Sequence, residues 1–235
     1  HPDPELDAYL DRLIATIAAA QEKDGYLYTI ATANKRGMDA RWKGEHSSHE
    51  TYCAGHLFEA AVAHVQATGK HSLLDVATRV ADLLVQTFLP SANPNARKEV
   101  PGHPEVEIGL VRLYRVTHKK EYLDLARHFL VSRGVAEGRT LYGEDLQDHM
   151  PLLSQRTAIG HSVRAGYLYS AVADVAALTG DERFLRAIDS IWSNMVSKKI
   201  YVQGGAGAVG SGERYGDNYE LPNATAYNET CASIG

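Results

Sequence analysis

Histidines that follow a glycine mark three places where a binding site could form. The pairs are Gly55-His56, Gly102-His103 and Gly160-His161, and each lies where a polar stretch meets an apolar, helix-like pattern. Another histidine, His49, lies two helical turns before His56. Because imidazoles are neutral or charged near physiological pH, they can bind sugar hydroxyls or orient carboxylates. The pattern favours a ring of imidazoles at one end of the fold. The alternative is that each histidine caps or packs its own helix.

Two glutamates and a cysteine near the end of the sequence are the other candidates. Glu213 follows a glycine-rich stretch and could act as a general acid, which must be a carboxyl whose pKa is raised by its surroundings. The alternative is a solvated loop glutamate. Glu229 and Cys231 could bind one zinc ion through oxygen and sulfur. Two ligands alone do not complete a zinc site. The alternative is that Cys231 is a core cysteine and that Glu229 beside it caps a helix.

The glycine-rich stretch at 205–210 matches the G-x-G-x-x-G pattern of dinucleotide sites. Such a site needs the glycines to open a helix within a βαβ unit, whereas turn-forming residues follow here. We therefore predict an irregular loop and no dinucleotide site.

The elements that must position these residues are repeated helical hairpins. Similar polar turns begin at Thr68, Thr117 and Thr179, roughly 50 and then roughly 60 residues apart, a spacing typical of helical repeats. Each turn leads into a helix with one apolar face, such as 73–88, and follows a helix that is apolar on nearly every side, such as 161–179. This alternation predicts an outer and an inner ring, an all-α toroid. TPR or HEAT solenoids are the rival, but their repeats should be more uniform in length.

Long connections should all lie at one end of such a toroid. They are expected at roughly 23–47, 89–102, 134–158 and 197–223. The inner helices begin at that end, where free backbone N–H groups and the positive end of the helix dipole favour binding. The residues expected to converge there are His49, His103, His161, Glu213, Glu229 and Cys231. Cys53, early in an apolar helix, is predicted to be a small buried hydrophobe.

Composition narrows the classes of partner. The 235 residues carry a formal net charge of −5 with no basic cluster, so we expect no nucleic acid partner. The sequence has no run of about 18 apolar residues, so no membrane span is predicted. No signal peptide is visible. We expect a soluble protein. The sequence leaves open whether it is cytoplasmic or secreted, and whether it forms a homo-oligomer. Two cysteines do not form a disulfide framework.

Taken together and in order, the motifs resemble glycoside hydrolase family 127, once called DUF1680, and its relative family 146. The segments that carry the resemblance are His49-Glu50-Thr51-Tyr52-Cys53-Ala54-Gly55-His56, Gly102-His103-Pro104-Glu105-Val106-Glu107, Gly160-His161-Ser162-Val163-Arg164-Ala165, Gly212-Glu213 and Tyr227-Asn228-Glu229-Thr230-Cys231-Ala232-Ser233.

This resemblance implies an (α/α)6 toroid, of which residues 1–235 would be an incomplete catalytic barrel. The remaining barrel helices and β-sandwich domains would then lie beyond the end of this chain. It also implies roles: Glu213 as acid/base, Glu229 and Cys231 as zinc ligands, and His103, His161 and either His49 or His56 as substrate-binding residues. The family's nucleophile belongs to a Cys-Cys pair further along, which also completes the zinc site. We therefore expect the isolated chain to be inactive.

The implied activity is the retaining hydrolysis of β-L-arabinofuranosides, or of related sugars, in oligosaccharides or glycans of plant type. One alternative is a zinc-independent sugar hydrolase with an (α/α) barrel, such as an unsaturated-uronide hydrolase. Another is a carbohydrate-binding protein without catalysis.

Overall fold

The fold is made of helices joined by loops of very different length. The computed structural model describes residues 3–35, 37 and 40–234, and this part contains isolated β-bridges but no strand. The helices are α1 (Pro4–Ala20), α2 (Thr29–Ala33), α3 (Glu50–Thr68), α4 (Ser72–Phe88), α5 (Val106–Thr117), α6 (Lys120–Ser132), α7 (Ser162–Thr179), α8 (Glu182–Lys198) and α9 (Thr230–Ile234). Short 3-10 turns lie at Glu144–Leu146 and Leu152–Ser154. The all-α prediction is confirmed, and none of these helices combines the length and apolarity of a membrane span.

Three hairpins repeat along the chain: α3 with α4, α5 with α6, and α7 with α8. The first helix of each ends at a left-handed residue, which lets the chain reverse in two or three residues. These residues are Gly69, His118 and Gly180, with φ of 72°, 57° and 65°.

The threonine before each left-handed residue explains the repeated sequence. Thr68, Thr117 and Thr179 each donate a side-chain hydrogen bond to the carbonyl four residues earlier, at 2.7, 2.8 and 2.7 Å. Each bond fixes the threonine side chain on the backbone one turn earlier, at the point where the helix ends. The predicted turns are confirmed.

The hairpins form two layers of an (α/α) toroid. Helices α3, α5 and α7 pack side by side, while α4 and α6 pack together behind them and α1 packs on α4. Every residue from 100 to 111 is buried, as expected for an inner helix. The outer helix α4 buries only its apolar face, from Leu73 to Phe88. On α8, however, Trp192 is 58% exposed, so the buried face of this helix is narrower than its apolar face.

Close packing of α3 against α5 depends on small residues. A Cβ on Gly55 would come within 2.7 Å of the backbone carbon of Glu105. A Cβ on Gly109 would come within 2.6 Å of the Gly55 carbonyl oxygen. The glycines therefore allow the two inner helices to approach backbone to backbone.

Three local predictions are wrong. Proline suits the first position of a helix, so the sequence predicts that α5 begins at Pro104. The helix begins at Val106 instead, because the backbone of Glu105 is not helical, with φ of 162° and ψ of −40°. The pair Gly55-His56 lies inside α3 and not at its start. Cys53 is exposed, since α3 buries the opposite face.

Candidate active site

Three of the candidate histidines meet at the N-terminal ends of the inner helices. His49 is the N-cap residue of α3, His161 is the N-cap residue of α7, and His103 lies just before α5. The ring centre of His103 is 5.8 Å from that of His49 and 6.3 Å from that of His161. The structure thus brings side chains from three separate hairpins into one row.

Two tyrosines that sequence reasoning missed join this row to His56. The ring of Tyr52 lies 4.3 Å from His103 and 4.5 Å from His56. Tyr167 lies 5.5 Å from His103 and 6.0 Å from His56. The spacing of Tyr52, three residues after His49 and four before His56, places all three on one helix face and could have identified it.

The environment of His103 keeps it neutral. Its Nδ1 lies 2.8 Å from the Pro104 carbonyl oxygen, so Nδ1 carries the proton and Nε2 is left as an acceptor. Burial, chiefly, and the nearby Arg164 guanidinium lower the pKa of His103 to about 4. A neutral imidazole with a free Nε2 can accept a hydrogen bond from a sugar hydroxyl.

Arg164 is the main positive charge at this end of the molecule. It lowers the pKa of His49, His103 and His161, in each case as a smaller cause than burial. Its guanidinium lies 3.5 Å from the Gly102 carbonyl oxygen, and its Nε is buried without a hydrogen-bond partner among the described residues. We did not single out Arg164 from the sequence, although it lies one turn after His161.

The 197–223 loop carries Glu213 back to the start of α7. The Glu213 carbonyl accepts hydrogen bonds from the backbone N–H and the hydroxyl of Ser162, both at 2.9 Å. Glu213 itself has a positive φ of 53°, a conformation uncommon for non-glycine residues. Positive φ also occurs at Gly207 of the glycine-rich stretch, which forms a loop as predicted, and at Gly212 just after it.

Both oxygens of the Glu213 carboxylate receive a donor. Oε2 lies 3.0 Å from Nε2 of His161, and Oε1 accepts a 3.0 Å hydrogen bond from the Tyr227 hydroxyl. The Glu213 side chain is 40% exposed, so it remains open to a ligand. The contacts fix a carboxylate between an imidazole and a phenol, an arrangement suited to moving a proton.

Glu229 and Cys231 lie beside Glu213 at the start of α9. The thiol of Cys231 is hydrogen-bonded to Glu229, and that bond raises the pKa of the thiol, as does the nearby Glu213 charge. The Glu229 Oε2 atom is buried without a hydrogen-bond partner among the described residues. An orphaned carboxylate oxygen next to a thiol is a donor set that fits zinc.

These features define a class: a helical-toroid protein with imidazoles, a candidate acid/base carboxylate and a carboxylate–thiol pair at the mouth of its inner ring. The family model described as "Beta-L-arabinofuranosidase, GH127 catalytic domain" matches residues 1–235. The chain therefore belongs to the GH127 catalytic-domain family.

Individual relatives agree with this assignment. The chain is 38% identical over 255 aligned residues to a protein named non-reducing end β-L-arabinofuranosidase from Bifidobacterium longum subsp. longum, and the match covers 100% of the chain. A solved GH127 β-arabinofuranosidase is 48% identical with a TM-score of 0.91, over 100% of the chain. A solved GH127 β-L-arabinofuranosidase from Geobacillus stearothermophilus T6 is 39% identical with a TM-score of 0.92, over 99% of the chain. The chain spans 38%, 37% and 38% of the lengths of these three relatives.

Proposed function

We propose that the protein is a retaining glycoside hydrolase that releases β-L-arabinofuranose, or a closely related sugar, from plant-type oligosaccharides or glycans. Its family membership supports the class of reaction. The observation that carries the proposal is the placement of Glu213, whose carboxylate lies between His161 and Tyr227 in the row of imidazoles.

In this proposal Glu213 acts twice. It first donates a proton to the departing glycosidic oxygen, as the bond from that oxygen to the anomeric carbon breaks and the cysteine nucleophile implied by the family resemblance bonds to the same carbon. It then accepts a proton from the water that releases the sugar, which restores its starting state. The contacts from His161 and Tyr227 stabilise the carboxylate form between these steps. Neutral His103, with His49, would accept hydrogen bonds from the sugar hydroxyls.

Glu229 and Cys231 would hold a zinc ion, for which the orphaned Glu229 oxygen and the adjacent thiol are suitable ligands. When bound, zinc favours the thiolate form of cysteine ligands and fixes their direction. The nucleophile implied by the family resemblance is a cysteine of a Cys-Cys pair, and these 235 residues contain only Cys53 and Cys231. We therefore also propose that residues 1–235 are part of a larger catalytic barrel, followed by β-sandwich domains.

The test is hydrolysis by the protein at its natural length, with p-nitrophenyl β-L-arabinofuranoside and its α anomer. We expect turnover of the β anomer with retained configuration, observed by NMR of the first product. Glu213→Gln should lower kcat on natural linkages by about 10²–10⁴-fold, the usual worth of general acid–base help. Glu137→Gln, which changes an exposed glutamate in another loop, is the matched control and should not affect kcat. Inversion of configuration, or hydrolysis of an unsaturated uronide by zinc-free protein, would contradict the proposal.

A further inference from the structure

A second cluster of metal-ligating side chains lies between α3 and α5, away from Glu213. It consists of His56 and Glu59 on α3 and Glu105 just before α5. Each residue offers one ligand atom, and these three atoms all lie within 4.8 Å of one another. An open pocket lined by His56, Glu59, Gln66 and Arg112 gives access to the cluster from solvent.

The state of Glu105 is the independent observation that points to a ligand. Its side chain is 0% exposed, and neither of its carboxylate oxygens has a hydrogen-bond partner among the described residues. Its Oε1 lies 3.3 Å from Nδ1 of His56. A carboxylate buried without partners is costly, so the group either takes up a proton or needs a cation beside it.

Apart from His56, the charged groups next to Glu105 do not supply a cation for it. The Glu59 carboxyl lies against Glu105 and adds negative charge, and Glu107 adds more. The guanidinium of Arg112 lies 3.6 Å from the Glu59 carboxylate, so this cation is paired with Glu59 and not with Glu105. Two facing carboxyls need either a shared proton or a cation between them, and a metal cation there would gain the imidazole nitrogen of His56 as a third ligand.

We propose that His56, Glu59 and Glu105 form a binding site for a divalent transition-metal cation, separate from the Glu229–Cys231 pair. One nitrogen and two carboxylate oxygens suit Mn²⁺ or Zn²⁺, whereas a thiolate selects softer ions. His56 then serves as a metal ligand, which leaves His49, His103 and His161 to face the sugar. Tyr52 and Tyr167, which contact both His56 and His103, connect the cation site to the imidazole row.

The experiment is a Mn²⁺ titration of metal-stripped protein at its natural length, followed by the loss of the free Mn²⁺ EPR signal. We expect one Mn²⁺ per chain, with affinity at least about tenfold lower in Glu59→Gln and His56→Asn. Glu59 and His56 are partly exposed, so these variants should fold, and Glu105→Gln adds a neutral isostere at the buried position. Cys231→Ser is the matched control and should bind Mn²⁺ as the unaltered protein does.

Three results would overturn the proposal: no Mn²⁺ binding, binding that survives both His56→Asn and Glu59→Gln, or binding lost in Cys231→Ser. A proton shared by the two carboxyls would give the first result, together with increased stability of Glu105→Gln. Because the readout is metal binding and not turnover, the outcome does not depend on the proposed hydrolase activity.

Discussion

At the scale of single residues, the contact between Tyr227 and Glu213 is the most directly testable. Tyr227→Phe removes one donor to the carboxylate and leaves the ring in place. A hydrogen bond to a charged group contributes about 1.5–3 kcal/mol when buried, and less at this 40% exposed tyrosine. We therefore expect kcat to fall about tenfold with little change in KM. Tyr219→Phe, on an exposed tyrosine of the same loop, should leave kcat unchanged, and an equal loss in both variants would contradict the assignment.

His103 should make stability depend on pH. Its pKa is about 4 in the folded protein and about 6.5 when unfolded, so the unfolded chain binds more protons between these values. The stabilising effect of neutral His103 is complete above pH 6.5 and is lost as pH falls towards 4. The loss should amount to about 3 kcal/mol.

Urea unfolding at pH 7 and pH 4.5 checks this. His103→Asn should show a smaller fall in unfolding free energy between the two pH values than the unaltered protein. His118→Asn is the control, because His118 is exposed and asparagine tolerates its left-handed conformation. An unchanged pH dependence in His103→Asn would show that His103 is not the titrating group.

At the scale of elements, the α3–α5 contact should be sensitive to a single methyl group. Gly55→Ala places a Cβ 2.7 Å from the Glu105 backbone, so the two helices must separate. Overpacking of this kind costs about 1–3 kcal/mol, and the better helix propensity of alanine offsets about 1 kcal/mol of it. Urea unfolding should show a net loss of stability, whereas Ala67→Ser on the exposed end of α3 should stay within about 0.5 kcal/mol. Equal stability of Gly55→Ala and the unaltered protein would refute close packing here.

Element boundaries also show how far the sequence can be interpreted. The hairpin turns at Thr68, Thr117 and Thr179 were predictable because a local threonine bond and a left-handed residue set them. The start of α5 was not predictable, because the non-helical Glu105 packs against Gly55 of α3, and this contact exists only in the packed structure. The prediction that Cys53 is buried was wrong for a similar reason, since only the packed structure shows which face of α3 is covered.

At the scale of the whole molecule, the long loops are tied together behind the candidate site. Arg133, at the end of α6, is buried and donates hydrogen bonds to the Pro101 carbonyl at 2.6 Å and the Leu146 carbonyl at 2.9 Å. Its guanidinium lies 3.7 Å from the buried Glu107 carboxylate. One charged side chain thus holds two of the long connections at the end where the inner helices begin. The gathering of the histidines was predictable from the toroid pattern, but this buried support and the roles of Tyr52 and Arg164 depend on tertiary contacts.

The division of labour between Glu213 and Glu229 is the central claim, and the dependence of rate on the leaving group tests it most directly. In the protein at its natural length, Glu213→Gln should keep zinc, lose about 10²–10⁴-fold in kcat on natural linkages and lose far less on activated aryl glycosides, which need little protonation. Glu229→Gln should lose zinc, and its activity should fall equally for both classes of substrate. If Glu213→Gln loses zinc while Glu229→Gln keeps it, or if Glu213→Gln slows good and poor leaving groups equally, the assignment is contradicted.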